Sequence, residues 1–87
     1  MEVAVDSHAP DAGQPPADDY WNAGPLGCGE LVMELKHRMD VLAPGALLHL
    51  VALDPGAVED LPAWCGLTGH GLVAFTPPHF FIQRKGA

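Results

Sequence analysis

The period of the hydrophobic positions changes several times along this 87-residue chain, and each change predicts an element. From Glu30 onward, Leu31, Leu35, Met39 and Leu42 recur at spacings of four, four and three, which places them on one face of a helix. Lys36, His37, Arg38 and Asp40 then fall mostly toward solvent, and Pro44-Gly45 stops the helix. Before it, Tyr20-Trp21 suits a short strand, with a turn signal at Ala23-Gly24-Pro25. After it, Ala46 to Leu53 is a mostly apolar run between Pro-Gly and Asp-Pro, as expected of a central strand buried on both faces. Asp54-Pro55 predicts a second helix, with Asp54 as N-cap and Pro55 at the first helical position, where no N–H is needed. Val58, Leu61 and Cys65 supply its apolar face, and Pro62 predicts a kink or two short segments. Gly66, Gly69 and Gly71 close that region. Leu72 to Phe75 and His79 to Gln83 then flank Pro77-Pro78 as two strands and a turn. The order is βαβαββ, an α+β fold in which two helices pack on one face of a four-stranded mixed sheet.

Residues 1–18 carry none of these periods. They combine acids with Pro10, Pro15 and Pro16 and read as a disordered acidic tail, leaving residues 19–87 as a single domain. Charge divides one residue further on. The formal net charge is -7, but Glu2, Asp6, Asp11, Asp18 and Asp19 contribute five acids without a base, and residues 20–87 hold six acids and four bases. An acidic chain is a poor match to a phosphate backbone, so direct nucleic-acid binding is disfavoured. Two cysteines are too few for a secreted disulfide scaffold, and a reduced, cytoplasmic setting is the expectation. Neither a signal peptide nor a membrane segment is expected, because the apolar run at Ala46 to Leu53 is short and interrupted by His49.

Cys28 is the informative position for chemistry. It stands where a glycine-rich turn meets the first long helix, and a helix N-terminus favours an anion there, so its thiol can become a thiolate near neutral pH. Gly27 and Gly29 flank it, and Glu30 opposes the effect with a nearby negative charge. The alternative for an isolated cysteine is a small buried hydrophobe near a helix end. Cys65, with no base or positive charge near it in sequence, reads as a packing thiol; a disulfide with Cys28 requires Cα atoms within about 7 Å. His8, His37, His49, His70 and His79 show no zinc-site spacing, so no metal or other cofactor is expected, and His49 reads as a satisfied, half-buried histidine. Lys36 and Arg38 are the candidate partner-docking patch.

Several blocks resemble one family. Gly24-Pro25-Leu26-Gly27-Cys28-Gly29-Glu30-Leu31-Val32-Met33, Met39 to Gly45, Asp54-Pro55, Asp60-Leu61-Pro62-Ala63-Trp64-Cys65 and Gly69-His70-Gly71-Leu72-Val73 are similar to the TusA/SirA-like small sulfur carriers, in the family's order and spacing from about Trp21 to Lys85. The resemblance implies the same βαβαββ sandwich. It also implies that Cys28 is the sulfur-accepting cysteine and His70 the family's loop histidine. The family hallmark is Cys-Pro-x-Pro, whereas this chain has Cys28-Gly29-Glu30-Leu31, without either proline. Asn22 and Pro25 also depart from the family's usual Asp and Gly. A glycine after Cys28 leaves the first helical turn less pre-organised than proline does.

Two functions follow as expectations. In the first, a monomeric carrier accepts sulfane sulfur as a persulfide on Cys28 from a protein donor such as a cysteine desulfurase or rhodanese. It then hands the sulfur to an acceptor protein, in tRNA thiolation, cofactor sulfuration or sulfur oxidation. Such a protein is a sulfurtransferase-type carrier more than a turnover enzyme. In the second, the chain is a non-catalytic adaptor that keeps the fold and binds a partner through its helical face or tail.

Overall fold

The computed structural model describes residues 16–86. The elements are β1 (Asp19–Gly24), α1 (Cys28–Val41), β2 (Leu47–Ala52), α2 (Ala57–Thr68), β3 (Gly71–Thr76) and β4 (His79–Gln83). The strands form one sheet in the order β1-β2-β4-β3. β1 runs parallel to β2, and β4 is antiparallel to both β2 and β3, so β2 and β3 point the same way. The chain therefore makes two parallel crossovers, β1-α1-β2 and β2-α2-β3, which step across the sheet in the same direction. Right-handed crossovers of that kind place their helices on the same face. The expected two-layer α+β arrangement follows.

The core lies between the layers. Leu48, Leu50 and Ala52 of β2 and Phe80 and Ile82 of β4 meet Leu31, Leu35 and Met39 of α1 and Ala57, Leu61 and Cys65 of α2. Burying each large side chain in this set contributes about 1.5–3 kcal/mol. The predicted two-sided burial of β2 also holds: Leu47 and Val51, on the face away from the helices, are only 9% and 8% exposed. They are shielded within the sheet's own side chains, including Phe81, which packs against His49 with ring centroids 4.4 Å apart.

Asp18, placed with the tail on sequence grounds, is bound to the sheet. Its N–H donates to the Leu47 carbonyl, and its Oδ2 accepts from the Leu47 N–H, both at 2.8 Å. Residues 1–15 of the expected tail lie outside the described part.

The second helix departs from expectation in three ways. It starts at Ala57 with Gly56 as N-cap, not at Pro55. Asp54 instead closes the preceding turn: its Oδ2 accepts from Gly56 N–H at 3.0 Å, and its carbonyl accepts from Ala57 N–H at 3.0 Å. The apolar face is Ala57, Leu61 and Cys65, whereas Val58 is exposed. Pro62 lies inside one continuous helix; the bond it forfeits is to the carbonyl of Val58, an exposed first-turn residue that water can reach. At the other end Gly69 caps the helix at φ 91°, a left-handed conformation suited to glycine, with its N–H on the Cys65 carbonyl at 2.9 Å.

Candidate functional site

Because β1 and β2 are parallel and each leads into a helix, both helix N-termini lie at the same end of the molecule. The Pro77-Pro78 turn joins them there, its Pro78 carbonyl accepting from Ala52 N–H at 3.0 Å, while Leu53 N–H donates to the Gly24 carbonyl at 2.9 Å. Cys28 is the first residue of α1, immediately after the N-cap Gly27. The expected site residues Gly27, Cys28, Gly29 and Glu30 are thus gathered on one turn, with Gly27, Gly29 and Glu30 exposed.

The local backbone suits an anion. No side chain caps α1, and the Leu31 N–H donates to the Gly27 carbonyl at 2.8 Å. The N–H groups of residues 28–30 therefore have no helical acceptor, and they point with the helix dipole toward this end. Glu30 works against that effect, and Asp54, Glu59 and Asp60 belong to the same end. The four bases are elsewhere. Arg84 Nη1 donates to the Leu42 carbonyl at the far end of α1, Lys85 Nζ donates to the Thr68 carbonyl at 3.0 Å at the far end of α2, and Lys36 and Arg38 lie in the second half of α1. Anion stabilisation at residue 28 thus falls to backbone dipoles.

Lys36 and Arg38, the expected docking residues, lie on different sides of α1. Positions two apart on a helix point about 200° from each other. Lys36 projects to solvent and pairs with Asp40 at 2.8 Å, holding that carboxylate below its usual range. Arg38 turns to the sheet side, its guanidinium 4.5 Å from the centre of the Trp21 ring and its Nε 3.0 Å from Glu34 Oε2.

Cys65 is buried at 4% exposure, and burial pushes its thiol up to about 11, which makes it a packing residue. It lies in the last turn of α2, whereas Cys28 opens α1 at the end of the molecule where α2 begins. His70 is structural: it is buried, its Nδ1 accepts from Lys85 N–H at 3.1 Å, and its ring stacks on Trp64 with centroids 5.4 Å apart. His49 is half-buried and satisfied, with its Nε2 2.9 Å from Nδ1 of His79. That pairing joins residues thirty positions apart and depends on the β2-β4 register, so sequence spacing could not disclose it.

The family model described as Sulfurtransferase TusA matches residues 22–83, well over half of the chain and the whole of the turn around Cys28. The chain belongs to the TusA family. Among its relatives, the sulfur carrier protein TusA of Pseudomonas paraeruginosa (strain DSM 24068 / PA7) is 43% identical over 58 residues, covering 67% of this chain and 73% of the relative. The TusA protein of Pseudomonas fluorescens (strain SBW25) is 40% identical over 58 residues, covering 67% and 70%. Among the described residues no helix is long and apolar enough to cross a membrane.

Proposed function

We propose that this TusA-family protein carries sulfane sulfur as a persulfide on Cys28 and passes it to a partner protein. In the loading step the Cys28 thiolate attacks the outer sulfur of a donor persulfide. A new S–S bond forms at Cys28, the donor's S–S bond breaks, and the donor leaves as a thiolate, with no net oxidation. Handover repeats the exchange with Cys28 as the leaving thiolate. The position of Cys28 as first residue of α1, with the N–H groups of residues 28–30 unused by the helix, supports this function, because both steps pass through a thiolate at that atom. Donor and acceptor are proteins that reach this end, and Lys36, the exposed base of α1, is a secondary contact for them. The experiment is intact-mass measurement after incubation with a sulfane-sulfur donor. The expected result is gain of one sulfur atom by wild type and none by Cys28→Ser. Equal mass gains in the two proteins, or no gain in wild type, overturn the proposal. A partner retained equally by both, with no sulfur gained, supports the adaptor instead.

A further inference from the structure

The face of the sheet away from the helices carries a histidine pair that sulfur transfer does not use. His49 of β2 and His79 of β4 lie on the same face, one ladder step apart diagonally, since His49 pairs with Phe81 and Val51 with His79. His49 Nε2 and His79 Nδ1 are 2.9 Å apart, and both residues are half-buried, so solution reaches them. The His49 ring is held from two sides, stacked on Phe81 and meeting Tyr20 edge-on at 5.0 Å. The pair is therefore pre-positioned.

We propose that His49 Nε2 and His79 Nδ1 form a two-histidine chelate for a divalent late transition metal of the Ni2+ or Cu2+ kind. The donors decide the class of ion. Imidazole nitrogens suit late transition metals, and the affinity of such donors for divalent ions rises through Ni2+ to Cu2+. Both rings must be neutral to donate. On binding, the proton shared between the rings moves through water to the outer nitrogen of its own ring. Each facing lone pair, after a ring rotation toward the common apex, then donates to the ion. Among the described residues no third His, Cys, Asp or Glu completes a metal-holding group, so water completes the coordination. This site is independent of Cys28.

Titration of the full wild-type chain with Ni2+, followed by NMR, tests it. The paramagnetic ion is expected to broaden Tyr20, His49, His79 and Phe81 first and to saturate at one equivalent. His49→Gln and His79→Gln are each expected to weaken binding at least tenfold, and His70→Gln to leave it unchanged. Broadening centred on Cys28, His8 or His37, or unchanged affinity in either pair variant, overturns the proposal. Where a variant does not fold by circular dichroism, the wild-type broadening map decides by itself.

Discussion

Raising the pH from 8 to 11 perturbs Cys65 in a way the fold makes calculable. The thiol sits at 4% exposure within the core, and burial lifts it from 9.0 to about 11. Below pH 9 both folded and unfolded chains keep the proton, so the stabilisation is complete. Between pH 9 and 11 the unfolded chain loses its proton first, and the equilibrium moves toward unfolding. Two pH units of difference correspond to roughly 2–3 kcal/mol, against a total of about 4–11 kcal/mol for a domain of this size. Urea denaturation of wild type and Cys65→Ala at four pH values provides the assay, the variant cancelling the titration of every other group. Wild type is expected to be the more stable at pH 8 and to lose that advantage by pH 11. Parallel curves over the whole range refute the reasoning. Alkylation bears on the same burial. At pH 8 the native thiolate fraction is about 0.001 against about 0.09 for a thiol at 9.0, and the buried sulfur is also shielded, so iodoacetamide is expected to modify native Cys65 at least about a hundredfold more slowly than the urea-unfolded residue.

Two further outcomes follow from the same structure. Arg84→Met keeps the stem but removes the positive charge and donor from the Leu42 carbonyl at the end of α1; a loss of about 1 kcal/mol is expected, read by thermal melting. Burial lowers both His49 and His70 below 6.5, so their contribution is complete above that pH and is lost as the pH falls below it. Stability measured from pH 7 to pH 5 is expected to decline, and to decline less in His70→Gln.

How far the sequence disclosed the fold depends on the range of the interaction involved. The spacing of Leu31, Leu35 and Met39 predicts the buried face of α1 because a helix face is a local property, and all three are fully buried. The start of α2 eluded the same logic. Asp54 caps either a helix or an Asx-type turn, and only the geometry after β2 selects the turn, with Asp54 Oδ2 on Gly56 N–H. Pro62 misled because its local cost is real, yet packing of Leu61 and Cys65 against the sheet keeps the helix whole. The opposition of Lys36 and Arg38 was available from helical periodicity alone. At the candidate site, the placement of Cys28 on a helix start was legible in the glycines around it. The division of charge between the two ends was not, since Arg84 and Lys85 reach the helix C-termini only through the sheet.

The two missing hallmark prolines are structurally unequal, and substitution separates them. Gly29 is the second helical residue, its N–H lies outside the intrahelical ladder, and a Cβ there meets nothing within 4 Å. Gly29→Pro therefore forfeits no helical bond and reduces the freedom of the unfolded chain, so a gain of about 0.5–1 kcal/mol is expected. Leu31 differs on both counts. Its N–H donates to the Gly27 carbonyl at 2.8 Å, and its side chain is fully buried in the core. Leu31→Pro removes that hydrogen bond and most of a buried leucine, at a cost of about 2–5 kcal/mol. Leucine at this position has become part of the core that holds α1 on the sheet, while glycine at 29 leaves the turn around Cys28 looser without weakening that core. Urea denaturation of the two variants should therefore move in opposite directions. Equal destabilisation by both would show that the first turn of α1 does not have the backbone conformation on which the placement of Cys28 depends.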